Sequence, residues 1–322
     1  MKLKTLRWGI IGAANIAKQQ VIPAIIQTPN NEVTAIASSS GKAESLAQQF
    51  HIPNTFQSYE ALLESSDVDA VYIALPNADH KQWALAAIQA NKHVLCEKPI
   101  VLTTKDLIEL QQAAKKHHVL LMEAFMYRFH PQIGKAKQLI TEGTIGEILT
   151  IRARFHFTME NWDDDIRLDP NLGGGVLNDI GCYPVNVLNY LIEETPKNIQ
   201  ALQGRAKKGI DTHIAVQLSY PSGILAQFDA SFYGPMTQTI DIIGTTGTMQ
   251  LPFAFRADQN NYDGIIHYHS NNETHTVKET GNAYIEQIKA FHQAIENKES
   301  PTYTHAQMLQ QTETLERIAK AL

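Results

Sequence analysis

The chain has 322 residues, of which 43% are hydrophobic and 19% are charged. It can therefore bury a large core, and its length favours two domains over one. The formal net charge of −6 argues against a general nucleic-acid-binding protein, and no apolar run approaches the roughly 20 residues that span a bilayer. We interpret Met1–Arg7 as the approach to a first strand rather than as a signal peptide. Because Cys96 and Cys182 are too few for a disulfide framework, we expect a cytoplasmic protein.

The first 125 residues or so alternate short apolar runs with helix-length amphipathic stretches. The predicted strands are Leu6–Ile11, Glu32–Ala37, Asp69–Leu75, His93–Cys96 and Val119–Met122. The helices predicted between them are Asn15–Gln27, Lys42–Phe50, Ala78–Ala90 and Thr104–His117. Strands that alternate with helices and are apolar throughout indicate a doubly wound parallel sheet of the Rossmann type, covered on both faces.

The pattern changes near residue 145, where strand-like runs follow one another across short turns. These runs are Glu147–Phe157, Asn198–Ala206, Thr212–Tyr220, Ile224–Ser231 and Gln238–Ile243, interrupted by a helix over Gly175–Leu191. The polar stretch Gln259–Gly281 is predicted as loops and weak strands, and the helices Ala283–Asn297 and Thr304–Leu322 end the chain. We therefore expect a Rossmann domain over residues 1–123 and, over residues 124–322, an α+β domain with a mostly antiparallel open sheet.

The turn after the first strand has the spacing of a dinucleotide-binding loop. Read as G-x-G-x-x-G/A, its three positions are Gly12, Ala14 and Ala17. We expect the backbone of Gly12, Ala13, Ala14, Asn15 and Ile16 to face a pyrophosphate at the helix N-terminus. Ala14 replaces the usual second glycine, and a plain glycine turn before a packing helix is the alternative.

The end of the second strand indicates which cofactor is bound. An acidic residue here would bind a ribose 2′-hydroxyl and repel a 2′-phosphate. The chain instead has Ser38, Ser39 and Lys42, which suit a phosphate through hydrogen bonds and charge. This favours NADP over NAD. The alternative is a helix cap at Ser40, and both interpretations are compatible.

Ligands of open α/β sheets bind beyond the carboxyl ends of the strands. Besides the loop and the serines, these ends carry Pro76–Asn77, Glu97–Pro99 and Glu123. Lys98 would lie near the nicotinamide, where a cation stabilises developing negative charge on a substrate oxygen. The alternatives are a solvated surface lysine and an ion pair with Glu97.

Three longer segments carry a resemblance to a known family. They are His93–Pro99 (HVLCEKP), Glu123–Pro131 (EAFMYRFHP) and Gly173–Pro184 (GGGVLNDIGCYP), together with the Gly12 loop and Ala74–Asn77 before His80. In this combination the whole chain resembles the Gfo/Idh/MocA oxidoreductase family. With Tyr183, the last of these segments is similar to the branch that holds glucose–fructose oxidoreductase, D-xylose dehydrogenase and dimeric dihydrodiol dehydrogenase. Other branches carry His at this position.

The resemblance implies an enzyme that transfers hydride between a sugar, cyclitol or trans-dihydrodiol and NADP. It implies that Leu75, Pro76, Asn77, His80 and Glu97 join the cofactor site, and that Lys98 and Tyr183 act in catalysis. Tyr183 would take the hydroxyl proton while Lys98 stabilises the oxyanion.

Asp179 lies four residues before Tyr183, so both should face the same side of one helix. Asp179 would hold a substrate hydroxyl or orient Lys98, and Gly173–Gly175 would let the backbone approach a ligand closely. The alternative for Tyr183 is an aromatic side chain that packs against the sheet.

Three more residues are candidate substrate contacts. Arg128 would bind a polyol or carboxylate, or anchor the joint between domains. Trp162 and Arg167, in the loop before the glycines, suit a sugar ring, with a solvated loop as the alternative. We expect no metal site, because His267 and His269 lack acidic or cysteine partners at ligand spacing.

Two other classes of function fit the same fold. One is a lyase or glycosidase that recycles hydride on a tightly bound cofactor, and the other is a nucleotide-sensing protein without catalysis. The antiparallel sheet should expose one face, which family members commonly pair with a second copy. We therefore expect a homodimer or a dimer of dimers.

Overall fold

The computed structural model describes residues 5–39 and 41–322. Ser40, considered above as a helix cap, lies outside them. The first sheet consists of β1 (Leu6–Ile11), β2 (Asn31–Ala37), β3 (Asn54–Phe56), β4 (Ala70–Ile73), β5 (His93–Cys96) and β6 (Leu121–Glu123). Its order is β3-β2-β1-β4-β5-β6 and every pairing is parallel. The chain direction across the sheet reverses between β1 and β4, the position where such sheets bind ligands.

Helices connect these strands and continue through the rest of the chain. They are α1 (Ile22–Gln27), α2 (Ala43–Phe50), α3 (Tyr59–Glu64), α4 (His80–Gln89), α5 (Thr104–His117), α6 (Pro131–Thr141), α7 (Cys182–Ile192), α8 (Ala283–Asn297) and α9 (His305–Ala321). A π-helical segment precedes α1 at Ala17–Val21, and another precedes α7 at Leu177–Gly181. Such segments occur frequently at functional sites.

The second sheet follows β6 in the sequence. Its strands are β7 (Ile148–His156), β8 (Asn198–Lys207), β9 (Ile210–Ser219), β10 (Leu225–Ser231), β11 (Ile240–Gly244), β12 (Gly247–Leu251), β13 (Asp263–Ser270) and β14 (Glu273–Thr280). The order is β14-β13-β12-β11-β7-β10-β9-β8. Only the central pair β7–β10 is parallel among the described strands of this sheet. The predicted fold class, a Rossmann-type sheet followed by a mostly antiparallel one, is confirmed.

The stretch Gln259–Gly281, predicted as loops and weak strands, contains more regular structure than expected, because β13 and β14 form a continuous hairpin. The pair has few apolar residues, so it lacks the alternation that identifies a strand. Polar cross-strand pairs stabilise it instead: His267 Nδ1 lies 2.9 Å from Thr276 Oγ1, and His269 Nδ1 lies 3.3 Å from Thr274 Oγ1.

The described residues divide into two compact units. The first comprises the residues up to Ala124 together with Tyr284–Leu309, and the second comprises Phe125–Ala283 together with Gln310–Leu322. We expected one boundary after residue 123, with everything beyond it in the second domain. The difference lies in Tyr284–Leu309.

Local contacts explain why this late segment lies in the first unit. The Phe291 ring of α8 packs at 5.1 Å from the Trp8 ring of β1. Asn31 Oδ1 accepts a hydrogen bond from the Trp8 indole at 2.9 Å, and Asn31 Nδ2 lies 2.9 Å from His292 Nδ1. Because Trp8 and Phe291 are fully buried, α8 covers apolar surface of the first sheet. No helix in the described ranges is long and apolar enough to cross a membrane.

Candidate active site

The turn after β1 requires a glycine at position 12. Gly12 has φ +96°, and its amide donates to Ala37 O at 2.9 Å. A Cβ at this position would lie 2.4 Å from Ala74 O, the backbone that follows β4. Gly12 therefore lets the ends of three neighbouring strands approach one another. Ala17, the third position of the motif, is fully buried, as close helix–strand packing requires.

The residues between Gly12 and Ala17 leave the helix N-terminus accessible. Ala13, Ala14 and Ile16 are half-buried and Asn15 is exposed. The first helical turn begins at Asn15. Its amides are available to an anion, since no residue precedes them within the helix.

Ser38 and Ser39 follow β2 directly, and Lys42 precedes α2 as an exposed side chain. The Tyr59 hydroxyl lies 3.3 Å from Ser39 Oγ and also accepts a longer hydrogen bond of 3.4 Å from the Ser39 amide. The Tyr59 ring in turn packs edge-on against Trp83 at 4.7 Å. Hydroxyl groups and an aromatic pair thus lie together beyond the end of β2.

Tyr59 was missed in the sequence because α3 was not predicted. One signal for it is present: Ser58 precedes the helix, and its Oγ accepts a hydrogen bond from the Ala61 amide at 3.1 Å. Serine is a preferred residue at this cap position. Only six residues follow it before Ser65 ends the helix, too few for a clear amphipathic period.

His80 links the segments that follow β4 and β5. Its Nδ1 lies 2.8 Å from Pro99 O and its Nε2 lies 2.9 Å from Leu75 O. A neutral imidazole can donate to only one of these carbonyl oxygens. Burial lowers the pKa of His80, the two carbonyl groups oppose this, and the charge of Lys98 lowers it further. His80 therefore holds together two segments that carry other predicted cofactor residues.

Glu97 and Lys98 are both half-buried. The Tyr72 hydroxyl donates to Glu97 Oε1 at 2.5 Å, and the Lys98 amide donates to Glu97 Oε2 at 3.3 Å. Burial raises the pKa of Tyr72 well above its ordinary value, and the charge of Glu97 raises it further. The Glu97 carboxylate is therefore held by the phenol of the neighbouring strand. The peptide bond between Lys98 and Pro99 is cis.

In the second unit, the glycine segment is shaped by its own backbone. A Cβ on Gly174 would lie 2.5 Å from Arg167 O, and the Gly175 amide donates to that same oxygen at 2.9 Å. Asn178 Nδ2 donates to Gly173 O at 3.2 Å and to Gly174 O at 3.1 Å. The glycines therefore permit a close backbone approach to the Arg167 loop, and their approach to a ligand stays a prediction.

Arg167 and Asp179, two of the predicted site residues, are brought together. Arg167 Nη1 lies 3.6 Å from Asp179 Oδ2. The same guanidinium pairs in bidentate fashion with Asp165, through contacts of 2.8 Å and 2.7 Å. Hydrogen bonding from Arg167 lowers the pKa of Asp165, and the pair with Asp165 raises the pKa of Arg167. Arg167 is thus fixed by one carboxylate and directed toward the other.

Tyr183 packs in an aromatic cluster with Phe125, Tyr127, Phe155 and Phe255. Its ring lies between 5.3 and 5.8 Å from each of theirs. Only 8% of Tyr183 is exposed. Aromatic packing, which we gave as the alternative to a catalytic role for Tyr183, is therefore present. It fixes the Tyr183 ring within the second unit. Because Lys98 belongs to the other unit, its partnership with Tyr183 stays a prediction.

The remaining candidate contacts are engaged with neighbours in the second unit. The Arg128 guanidinium lies 4.2 Å from the centre of the Tyr190 ring. Trp162 stacks on Tyr233 at 4.7 Å, and Lys207 Nζ lies 5.3 Å from the Trp162 ring. Their roles in substrate binding stay predictions.

Within residues 5–39 and 41–322, no group of three or more His, Cys, Asp or Glu side chains is arranged to hold a metal ion. Both cysteines are fully buried and unbridged. Burial raises the pKa of the Cys96 thiol well above its ordinary value, so this thiol is a poor nucleophile.

Comparison with known proteins gives matches along most of the chain. Residues 6–125 match the Gfo/Idh/MocA oxidoreductase family with an NAD-binding Rossmann fold, and residues 133–250 match the C-terminal domain of that family. D-xylose 1-dehydrogenase (NADP(+)) 2 of Haloferax volcanii is 33% identical over 97% of this chain and 96% of its own length. Trans-1,2-dihydrobenzene-1,2-diol dehydrogenase of Mus musculus is 33% identical over 76% of this chain and 74% of its own.

A solved structure of a related enzyme is similar over nearly the whole chain. A variant of a 3-ketoreductase from Actinomadura kijaniata, in complex with TDP-benzene and NADP, superimposes with a TM-score of 0.92. Its sequence is 30% identical to this chain, and the match covers 99% of this chain and 98% of that one.

Proposed function

Because this chain belongs to the Gfo/Idh/MocA oxidoreductase family, we propose that it is an NADP-dependent dehydrogenase or reductase. Its substrate carbon would be a secondary alcohol or hemiacetal carbon of a sugar, cyclitol or trans-dihydrodiol. This family membership confirms the resemblance seen in the sequence, both for the family and for oxidoreductase activity. The substrate class rests on its relatives, which include enzymes of xylose and of a dihydrodiol.

The observation that best supports the proposal is the set of groups beyond the end of β2. Ser38, Ser39 and Lys42 offer two hydroxyl groups and a cation, and the Tyr59 hydroxyl lies against Ser39. These donors fit a 2′-phosphate, and none of them is the carboxylate that would repel one. The exposed helix N-terminus at Asn15 fits the pyrophosphate.

Cofactor preference is tested by comparing kcat/KM for NADP⁺ and NAD⁺. Lys42→Ala should weaken NADP⁺ use by about tenfold, the effect of losing one charge-assisted contact, and should leave NAD⁺ use unchanged. Lys116→Ala removes an exposed lysine of α5, in the same unit and away from the predicted cofactor residues in the sequence, and is the matched control. A wild-type enzyme that prefers NAD⁺ by about tenfold or more would contradict the phosphate site.

The chemistry divides between two side chains. Bound NADP accepts or supplies the hydride. Tyr183, whose ring is fixed by its aromatic neighbours, exchanges the substrate hydroxyl proton, and the Lys98 ammonium stabilises the charge that develops on that oxygen. Asp179, directed by Arg167 at 3.6 Å, holds a substrate hydroxyl or orients Lys98.

Catalysis is tested by following nicotinamide absorbance with a panel of pentoses, hexoses, inositols and trans-dihydrodiols. Tyr183→Phe should lower kcat by about 10²–10⁴-fold and Lys98→Met by about 10²–10³-fold, both with NADPH binding retained. Product formation without net absorbance change would indicate the redox-recycling lyase or glycosidase. If ligand binding and cellular function survive both Tyr183→Phe and Lys98→Met, the protein is instead a nucleotide-sensing protein without catalysis.

We also propose that two copies pair through one face of the second sheet, and that the enzyme is cytoplasmic. The strands present Leu202, Leu225 and Ile243 on that face, with 73%, 57% and 44% of each residue exposed. Grooves of about 530 and 450 Å³ lie on the same sheet, and Thr150 and Arg152 line both. A wide surface with exposed apolar residues is typical of a protein interface. A monodisperse monomer in light scattering would contradict the dimer.

A further inference from the structure

The helix that carries Asp179 and Tyr183 has no cap from its own N-terminal residues. It begins at Val176, and the preceding residue is Gly175, which has no side chain. The amides of a first helical turn find no partner within the helix. A side-chain partner for these amides can therefore come only from elsewhere in the fold.

Asp211, on β9, supplies that partner. Its Oδ2 accepts a hydrogen bond from the Leu177 amide at 2.7 Å. Its negative charge lies at the positive end of the helix dipole. A strand of the second sheet thereby anchors the first turn of the helix.

Gly175 makes this contact sterically feasible. A Cβ on Gly175 would lie 2.3 Å from Asp211 Oδ1, and the residue has φ +111°. Both the space and the backbone conformation exclude an ordinary side chain. The last glycine of the Gly173–Gly175 segment is thus the steric complement of a carboxylate 36 positions later in the sequence.

The carboxylate is retained here at an energetic cost. Burial raises the pKa of Asp211 to about 6, and the backbone hydrogen bonds from Leu177, Val176 and Asp211 itself oppose that rise. An ionised group in such a place is costly unless hydrogen bonds offset its desolvation. The Asp211 carboxylate lies against the helical turn that carries Asp179, and this position indicates its role.

We infer that Asp211 is a positioning residue of the active site, which anchors the helix so that Asp179 and Tyr183 are held in their working orientation. Asp179 follows within the same turn, since its amide donates to Gly175 O at 3.0 Å. Tyr183 lies about one turn further along. This inference rests on the proposed function, because it assigns Asp179 and Tyr183 to the reaction.

The test compares Asp211→Asn with Asp263→Asn. Asp263 lies on β13 of the same unit and binds Lys278 and Thr280, remote in sequence from the Tyr183 helix. Asp211→Asn should lower kcat by about tenfold to a hundredfold, the size of effect that small misplacements of reacting groups have. The Kd for NADPH should stay within about twofold of wild type, and Asp263→Asn should leave kcat unchanged within the same margin.

Hydrogen–deuterium exchange of the segment 176–183 provides a readout that needs no turnover. Asp211→Asn should accelerate exchange in this segment, and Asp263→Asn should not. Unchanged kcat together with unchanged exchange would overturn the inference. Loss of kcat in proportion to the folded fraction, in both variants alike, would also overturn it.

Failure of the proposed function and failure of the Asp211→Asn variant to fold can each be distinguished from failure of the inference. If wild type turns over no substrate of the panel, the proposed function fails, while the exchange data still decide whether Asp211 anchors the helix. If Asp211→Asn does not fold, Asp211→Glu keeps the charge and moves it by one methylene group. A folded Glu variant with kcat lowered several-fold and unchanged NADPH binding supports the inference, and wild-type kcat overturns it.

Discussion

Asp211 should reveal itself in the pH dependence of stability. Its folded pKa is about 6, whereas an unfolded aspartate titrates near 3.9. The folded state therefore binds the proton more tightly. The stability that this proton contributes is present below pH ~4, declines as pH rises from about 4 to 6, and is absent above.

We predict that wild type loses stability relative to Asp211→Asn as pH rises from about 4.5 to 7, by on the order of 2 kcal/mol. The amide imitates the uncharged acid and does not titrate. Lys207 and Lys208, four and three residues before Asp211 in the sequence, bind Trp162 O and Asp163 O through their ammonium groups, each at 2.9 Å. Thermal unfolding of both proteins across this range is the measurement. Parallel curves would show that the carboxyl titrates normally.

Among single residues, those at the ends of predicted strands could be assigned to the site from the sequence. Gly12 and Lys98 lie at strand ends, and such ends meet at one edge of a parallel sheet. Asp211 was missed because its partner is distant in sequence, and Tyr59 was missed both for that reason and because α3 was not predicted. Leu177 lies 34 residues from Asp211, and Ser39 lies 20 residues from Tyr59. No local pattern records such pairs.

At the scale of elements, α5 shows what local signals can determine. It runs over Thr104–His117 as predicted, and the Thr103 hydroxyl accepts a hydrogen bond from the Asp106 amide at 3.2 Å. A cap, a long amphipathic period and a basic last turn all agree there. In contrast, α3 offers a cap and six residues only, and the β13–β14 hairpin offers neither an apolar face nor a period.

The cap of α3 should affect both stability and cofactor binding. Ser58→Ala removes the acceptor of the Ala61 amide and should lower the free energy of unfolding by about 1 kcal/mol. Because Tyr59 is the first residue of α3, NADPH binding should weaken as well. Ser66→Ala, at an exposed serine just beyond the same helix, is the control.

Urea unfolding and NADPH fluorescence titration measure the two effects. Equal unfolding midpoints for the two serine variants would show that the Ser58 cap contributes nothing. A destabilised Ser58→Ala with wild-type NADPH affinity would separate Tyr59 from the cofactor site.

At the scale of the whole molecule, the predicted dimer depends on the open face of the second sheet. Leu225 is paired in register with Thr150 of β7, and Thr150 with Ile243 of β11. These side chains therefore lie side by side on the same face. The sequence predicted this face from the alternation of its strands.

Leu225→Lys should convert the dimer to a monomer, because it places a charge within a buried apolar contact. Ile26→Lys is the matched control, since Ile26 is 50% exposed but lies on α1 of the first unit. Light scattering over a range of protein concentrations distinguishes the two states. If both variants remain dimers, the interface lies elsewhere.

The sequence periodicity predicted a parallel sheet followed by a mostly antiparallel one. It did not predict that the chain returns to the first unit. The period of α8 shows an amphipathic helix without showing which surface it covers. The burial of Phe291 against Trp8 and the contact of His292 with Asn31 identify that surface.

This return has a consequence for biosynthesis. A ribosome completes β6 long before it reaches α8, and the intervening segment Phe125–Ala283 takes on the order of 10–30 s at about 5–20 residues per second. During that interval the nascent first sheet lacks the helix that packs on Trp8, so we expect its indole ring to be more exposed than in the complete unit. Residues Phe125–Ala283 of the second unit are therefore synthesised before the first unit receives α8.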